Sequence, residues 1–424
     1  MSPFPIPAKN RMDGKIKSSL SLWTAWLLFS LAAVFLFSAA ATAAPKTEKD
    51  IKGAPLAMTP ELRKTALDYI AQSLRRTVAE VGDSFPVATE KGVWLKDNGG
   101  WTGGYFAGML WMMYQETGNS KWLPEARRYT DLLEKNKDDV DNIDIGILFW
   151  PSFDLGYRLT GDRGYREIGI TGARTMMKRY NERGGYFQNW GTLGEKEQAG
   201  FVIIDCLINL DHLFWASREI SDTSMARAAA SHARKTLESH VRPDNSSYQV
   251  VEFDPETGNM LRGLKKQGYS DQSTWSRGQS WGIYGFSRVY KNTGQREFLL
   301  GAMRMADWFI DHLPPDYVPY WDFQAPKIPD DARDSSAGSM AASGLLELAA
   351  MAENSKDRQK YREAAEKIMA SLTINYLTKN LPGSNDGVLT GGTYFYEKNS
   401  SVNQANIWGD FYYLEALLRL EGKE

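Results

Sequence analysis

The chain has 424 residues, which is long enough for one large domain or two ordinary ones. Its formal net charge is -2 at pH 7, and this balance gives no electrostatic footprint for nucleic acid. Cys206 is the single cysteine, which excludes an internal disulfide, and the 4 histidines show no metal-ligand spacing. Because the sequence also lacks a phosphate-binding loop and a dinucleotide fingerprint, we predict neither a metal nor another cofactor.

Residues 1–44 are predicted to form a secretory signal peptide. Basic side chains precede the apolar run Leu20–Phe37, and Ala41-Thr42-Ala43 has the small-x-small pattern of a cleavage site. The alternative is a retained membrane anchor, because the apolar run is nearly long enough to span a bilayer. We therefore expect residues 45–424 to form one domain in the periplasm or outside the cell, with no membrane contact after cleavage.

A repeated pattern follows the leader along the chain. Thr59-Pro60-Glu61 is a strong helix start, and the helix is predicted to run to about Val81. Mostly apolar helices then alternate with amphipathic ones across five short polar breaks, four of which carry Gly or Asn. The five breaks are Glu116–Asn119, Leu159–Asp162, Ile220–Asp222, Asn292–Gln295 and Glu353–Ser355.

These five pairs become six when the first helix, Glu61–Val81, is combined with the last one, Phe411–Leu420. A ring with the apolar helices inside and the amphipathic helices outside satisfies both helix types. The pattern therefore predicts an all-α fold, an (α/α)6 barrel or six-hairpin toroid; the alternative is two stacked helical domains. Tyr248–Phe253 and the turn at Asp254–Gly258 predict a small β-hairpin insert.

Two aspartates lie in unusually apolar surroundings. Phe201–Ser217 is predicted to be an almost wholly apolar helix that carries Asp205, and Asp144 lies in the similar stretch Asn142–Trp150. An ionised carboxylate is costly there unless it is paired, hydrogen-bonded or protonated. One such group is more often structural, but a pair can divide roles, with one member charged and the other kept neutral as a general acid.

Aromatic and cationic residues in the same loops suggest a carbohydrate site. Trp101, Trp190 and Trp281 could offer flat faces to sugar rings, although core packing is the alternative for Trp281. Arg277 could bind an anionic group of a substrate. The alternative for Arg277 is a buried ion pair with Asp271 or Asp334.

The sequence resembles the unsaturated glucuronyl hydrolases, glycoside hydrolase family 88, from roughly Thr59 to Leu420. Each matching motif is weak alone, but together they are highly specific. The motifs are Trp101–Trp111, Asp144-Ile145-Gly146, Ile203–Asn209, Gln267–Asp271, Thr274–Gly285, Arg333–Ala337 and Trp408-Gly409-Asp410.

The resemblance implies a monomeric (α/α)6-barrel hydrolase that removes a non-reducing-end 4,5-unsaturated uronic acid from lyase-generated oligosaccharides. It implies hydration of the C4=C5 double bond, with Asp205 as general acid and then base and with Asp144 assisting. Gln267 and Arg277 would hold the substrate while the three tryptophans stack on its sugar rings.

Two positions depart from the family pattern. Ile143 and Gln249 stand where the family often has His. Both are expected at the substrate cleft, and Gln249 is predicted to bind substrate there. The departures leave two alternatives open: an unsaturated rhamnogalacturonyl hydrolase acting on pectin fragments, or a sugar-binding barrel without activity.

Overall fold

The computed structural model describes residues 56–381 and 386–423. The predicted signal peptide, residues 1–44, lies outside the described residues. Along the chain the helices are α1 (Pro60–Val81), α2 (Gly103–Thr117), α3 (Leu123–Asp131), α4 (Ile145–Phe149), α5 (Leu155–Thr160), α6 (Arg163–Met177), α7 (Leu210–Ile220), α8 (Thr223–His240), α9 (Ser276–Thr293), α10 (Arg296–Asp311), α11 (Ser335–Met351), α12 (Ser355–Asn375) and α13 (Ile407–Arg419). Among these helices, none is long and apolar enough to cross a membrane.

The helices form two concentric rings. The π-helical turn Trp150–Asp154 joins α4 to α5, so that these two short helices act as one member of the inner ring. The inner ring runs α2, α4–α5, α7, α9, α11 and α13, and α13 packs back against α2. The outer ring contains α1, α3, α6, α8, α10 and α12. Because the inner ring closes on itself, the predicted (α/α)6 barrel is confirmed.

In three of the breaks between paired helices, the first helix ends at a glycine, as the sequence predicts. Gly118, Gly161 and Gly294 have φ values of 61°, 72° and 66°, in the left-handed region that glycine adopts without a steric penalty. At the other end of the pattern, Thr59 Oγ1 accepts a hydrogen bond from the backbone N–H of Leu62 at 3.2 Å and caps α1. These local signals set the lengths of the hairpins.

Short antiparallel sheets lie in the segments that connect the helices of the barrel. The strands are β1 (Phe85–Glu90), β2 (Val93–Asp97), β3 (Tyr180–Asn181), β4 (Tyr186–Phe187), β5 (Phe201–Ile203), β6 (Val250–Phe253) and β7 (Met260–Leu264). The predicted hairpin insert is confirmed as β6 and β7, and β5 adds to it to give a three-stranded sheet in the order β5-β6-β7.

The predicted helix Phe201–Ser217 is wrong in its first half. Residues Phe201–Ile203 form β5, Ile204–Asn209 form a 3-10 turn, and the α-helix begins only at Leu210. The β-branched residues here pair with the β-branched residues of β6, with Ile203 opposite Val250. The chain can therefore satisfy its backbone hydrogen bonds in the sheet before it enters the inner ring.

Candidate active site

Asp205 lies in the 3-10 turn between β5 and α7, at the entrance of an inner helix. Its carboxyl group is desolvated by the surrounding protein, and this burial raises the pKa of Asp205 to about 6. The positive charges of Arg277 and Lys266 oppose this rise in pKa, while the negative charge of Asp144 adds to it. Asp205 is therefore a carboxylic acid that can keep its proton close to neutral pH.

Asp144 lies directly before the first residue of α4. Burial raises the pKa of Asp144, whereas a hydrogen bond with Asn209 and the charges of Lys266 and Arg179 lower it. Asn209 also accepts, through Oδ1, a hydrogen bond from the backbone N–H of Ile147 at 2.8 Å. One buried amide thus connects the segment that carries Asp144 to the turn that carries Asp205.

Gly146 allows these two segments to approach each other. A Cβ atom at Gly146 would lie 2.3 Å from the backbone oxygen of Asn209 and 2.6 Å from its Cα, closer than any side chain allows. The backbone of α4 can therefore rest directly on the 3-10 turn. This contact brings the segments of Asp144 and Asp205 together, and the charge of Asp144 acts on Asp205.

An aromatic wall stands beside the two acids. Trp101 is half-buried, and its ring centroid lies 5.1 Å from that of Trp408 and 6.2 Å from that of Tyr394. Tyr105, one helical turn after Trp101, is buried, and the desolvation of its hydroxyl raises the pKa of Tyr105. The charges of both aspartates raise this pKa further, which places the Tyr105 hydroxyl near them.

Two buried polar atoms around this space lack a hydrogen-bond partner within residues 56–381 and 386–423. They are Oδ1 of Asp205 and Nε1 of Trp281. The rings of Tyr105 and Trp281 both contact Tyr412, each with 5.7 Å between ring centroids, and the hydroxyl of Tyr105 interacts with that of Tyr412. Since buried polar atoms are normally paired, this acceptor and this donor are suited to a polar ligand such as a sugar.

Arg277 forms a buried ion pair, which was the alternative to binding a substrate anion. It is 2% exposed, and its Nη1 donates to Asp334 Oδ2 at 2.5 Å and to the backbone oxygen of Thr393 at 2.7 Å. Its Nη2 donates to the backbone oxygen of Tyr394 at 2.9 Å. The buried ion pair with Asp334 is therefore confirmed, and the contact of Arg277 with substrate stays a prediction.

Trp281 is also more enclosed than a stacking platform requires. Its side chain is 1% exposed, so its ring faces are covered by protein and only the unpaired Nε1 marks it as a ligand contact. The alternative interpretation of core packing thus describes its ring. The half-buried Trp101 and Trp190 are better placed to contact a sugar ring.

The two glutamines predicted to bind substrate are bonded to each other. Gln249 Nε2 donates to Gln267 Oε1 at 3.0 Å, while Gln249 Oε1 accepts from the backbone N–H groups of Lys266 and Gln267 at 3.0 and 2.6 Å. Gln267 Nε2 in turn donates to the backbone oxygen of Tyr394 at 2.7 Å. In this structure the amides hold the end of the β6–β7 hairpin against the barrel, and their contact with substrate stays a prediction.

Sequence reasoning missed Lys266. Its Nζ lies 4.4 Å from the ring centroid of Trp190, and its charge lowers the pKa of both Asp144 and Asp205. The only signal in the sequence was its position beside Gln267, which does not distinguish it from the adjacent Lys265. Ile143, which replaces a family histidine, is buried in an apolar cluster with Ile203 and Val250 on which Trp190 packs.

A ring of six helical hairpins with a pair of half-buried aspartates and half-buried tryptophans defines a carbohydrate-active enzyme of the (α/α)6-barrel class. The sequence profile of Glycosyl Hydrolase Family 88 matches residues 74–416. The chain therefore belongs to Glycosyl Hydrolase Family 88 and is a glycoside hydrolase of the unsaturated glucuronyl hydrolase type. The resemblance found in the sequence is confirmed.

Individual relatives support this assignment. An unsaturated glucuronyl hydrolase from Bacillus sp. strain GL1 is 39% identical over 353 residues, which cover 82% of this chain and 93% of the relative. An unsaturated chondroitin disaccharide hydrolase from Streptococcus pyogenes is 36% identical, over 84% of this chain and 90% of the relative. The crystal structure of the Bacillus enzyme, which is described as responsible for the degradation of glycosaminoglycan, superimposes with a TM-score of 0.82 over 85% of this chain and 97% of that one.

Within the described part of the chain, no group of three or more His, Cys, Asp or Glu side chains could hold a metal ion.

Proposed function

We propose that this chain removes the 4,5-unsaturated uronic acid from the non-reducing end of oligosaccharides left by polysaccharide lyases, with glycosaminoglycan fragments as its substrates. The single observation that carries the proposal is Asp205, a half-buried residue whose desolvated carboxyl group has a pKa of about 6, one buried oxygen without a partner, and a second acid nearby. The names of the relatives support the substrate class. From the predicted leader alone, we propose that the reaction takes place in the periplasm or outside the cell.

The proposed reaction begins with a proton transfer from Asp205 to C4 of the unsaturated sugar. The electron pair of the C4=C5 bond forms the new C–H bond, and the ring oxygen stabilises the cation that develops at C5. A water molecule then adds to C5 and returns a proton to the Asp205 carboxylate, which restores the acid. One carboxyl group thus acts as general acid and then as general base.

The hydrated product collapses without further help from an acid pair. The hydroxyl and the ring oxygen on C5 form a hemiketal, which opens to a ketone at C5. The C1 centre is then a hemiacetal, and it releases the rest of the oligosaccharide as an alcohol while C1 becomes an aldehyde. The net consumption is one water molecule, and the separation of two carboxylates that distinguishes retaining from inverting glycosidases does not apply.

Asp144 is proposed to assist by its charge and by its hydrogen bond with Asn209. A negative charge near Asp205 favours the neutral form of that acid and stabilises the positive charge that develops at C5. The half-buried Trp101 and Trp190 are proposed to contact the sugar rings, and Trp281 to hydrogen-bond to the substrate through its unpaired Nε1.

A panel of lyase digests tests the proposal. When the purified chain is added to unsaturated disaccharides from a glycosaminoglycan, the near-ultraviolet absorbance of the conjugated double bond should decay, with no metal or nucleotide added. Decay only with pectin-derived fragments would identify an unsaturated rhamnogalacturonyl hydrolase instead. Calorimetric binding of the disaccharide with no decay would identify a sugar-binding barrel.

The pH dependence of kcat/KM should follow the protonation of Asp205. Burial raises its pKa to about 6, so the acid form is present below about pH 6 and is lost as the pH rises through this value. The rate should therefore decline above about pH 6, by up to about tenfold per pH unit. The groups that face Asp205 are Arg277 and Lys266, which lower its pKa, and Asp144, which raises it. A rate that increases between pH 6 and 8 would exclude Asp205 as the proton donor.

A further inference from the structure

Lys266 occupies a defined position at the edge of the candidate site. It follows β7 directly after Lys265, and its backbone N–H donates to Oε1 of Gln249, which is itself buried. Its side chain is half-buried and extends over the indole of Trp190, with 4.4 Å from Nζ to the ring centroid. The backbone bond and the cation–π contact together hold the ammonium group on one side of the site.

Apolar packing independently places this position beside the acids. Leu264, two residues before Lys266, packs with Trp190 on the cluster of Ile143 and Ile203. Ile143 is the residue before Asp144, and Ile203 lies two residues before Asp205. The Trp190 ring therefore borders both acidic segments, and the ammonium group that lies over this ring is close enough to the two carboxyl groups to lower their pKa values.

The electrostatics of the site agree with this geometry. Burial lowers the pKa of Lys266, the charges of Asp205 and Asp144 raise it, and Lys398 lowers it further. Lys266 therefore carries its charge partly out of water and next to the reacting acid. An anionic group of a ligand placed there would meet a cation that is already partly desolvated, which strengthens the interaction.

Two guanidinium groups near the acids, those of Arg277 and Arg179, are bound to the scaffold. Arg277 is bonded to Asp334 and to two backbone oxygens, as described above. Arg179 is 3% exposed, and it donates to the backbone oxygens of Val140, Gln188, Trp190 and Gly191. Both guanidinium groups therefore bind the protein chain itself, and the contact of Arg277 with a substrate anion stays a prediction.

We propose that Lys266 binds the carboxylate of the unsaturated uronic acid and is the residue that makes the enzyme specific for an acidic sugar. The inference rests on the proposed function. The carboxylate is attached to C5, next to the C4 atom that Asp205 protonates, so a cation beside Asp205 is within reach of it. A contact at this point also fixes the orientation of the double bond over the acid.

The test compares an acidic substrate with its neutral ester in two variants. The substrates are an unsulfated unsaturated disaccharide and the methyl ester of its uronic acid. The variants are Lys266→Met and, as a matched control, Lys265→Met, whose ammonium group pairs with Glu397 on the adjacent surface. Each substitution removes one positive charge, and the two positions are adjacent, directly after β7.

The wild type and Lys265→Met should prefer the acid to the ester in kcat/KM by about 10- to 100-fold, the range of a lost charge-assisted hydrogen bond. In Lys266→Met this preference should fall to near one, because turnover of the acid drops while turnover of the ester changes little. The loss should lie mainly in KM, and Lys266→Arg should recover part of the preference. If Lys266 had only a structural role, kcat/KM would instead fall equally for the acid and the ester.

Three other results would overturn the inference. An unchanged preference for the acid in Lys266→Met would show that another group binds the carboxylate. A loss that appears only with sulfated disaccharides would assign Lys266 to a sulfate. An equal loss on acid and ester would make Lys266 a structural residue. If the wild type turns over neither substrate, the proposed function itself fails, and calorimetric binding of the acid and the ester to the same variants then decides the role of Lys266.

Discussion

Replacement of Asp205 by Asn should lower kcat by about 10²- to 10⁴-fold and leave the binding of the unsaturated disaccharide largely intact. An amide has nearly the shape of a carboxyl group, but it cannot give a proton to carbon. The loss should appear in kcat and kcat/KM together, because the proton is transferred only in the transition state. Decay of the near-ultraviolet absorbance measures the rate, and calorimetry measures binding to the variant.

Asp154 provides a matched control for this experiment. Burial raises its pKa to about 6, as for Asp205, but its Oδ2 is bonded to Nδ1 of His212 at 2.7 Å inside the wall of the barrel. Asp154→Asn should keep kcat close to the wild-type value. Asp410 has a raised pKa of about 7 as well, and it accepts hydrogen bonds from two backbone N–H groups. A raised pKa therefore does not identify the acid by itself, and activity retained in Asp205→Asn would remove Asp205 from the mechanism.

Replacement of Asp334 by Ala should lower the free energy of unfolding by about 3–5 kcal/mol, the cost of leaving a buried charge without its partner. Asp334 is fully buried and pairs with Arg277, which is 2% exposed. Its other oxygen accepts from the backbone N–H of Ser336 at 3.1 Å and caps α11. One substitution thus removes both an ion pair and a helix cap. Denaturant unfolding of the two proteins measures the difference.

Glu353→Ala is the control for the Asp334 variant. Glu353 pairs with Arg296 at 3.0 Å, but the two side chains are 59% and 65% exposed. Water screens such a pair, so its loss should leave the free energy of unfolding close to the wild-type value. If the two variants unfold at the same denaturant concentration, the buried pair does not stabilise the barrel in the way argued here.

Much of the fold could be predicted from the sequence, because the residue patterns that determine it act over short stretches of chain. The alternation of apolar and amphipathic helices predicted the two rings, and glycines in the breaks, such as Gly118 and Gly294, predicted where helices end. The hairpin insert followed from β-branched residues around a proline-containing turn. The start of α7 could not be predicted in this way, because Phe201–Ile203 pairs with a strand almost fifty residues further along the chain.

The acid pair was predictable for a related reason. Asp144 and Asp205 stand out because each lies in an apolar stretch, which is a property of the sequence itself. The partners of the cations were not predictable. The sequence left Asp271 and Asp334 as equal candidates for Arg277, and only the folded chain selects Asp334.

By itself, the sequence determined a six-hairpin barrel and singled out Asp144 and Asp205 as candidate acids, since helix periodicity, caps and apolar context act over a few residues. Only the tertiary structure decided that Arg277 pairs with Asp334, that Gln249 and Gln267 bind each other, and that the charge of Lys266 acts on both aspartates. The physical reason is that closure of the ring brings together groups far apart in the chain. Their charges, hydrogen bonds and exposure take their final values only in that arrangement.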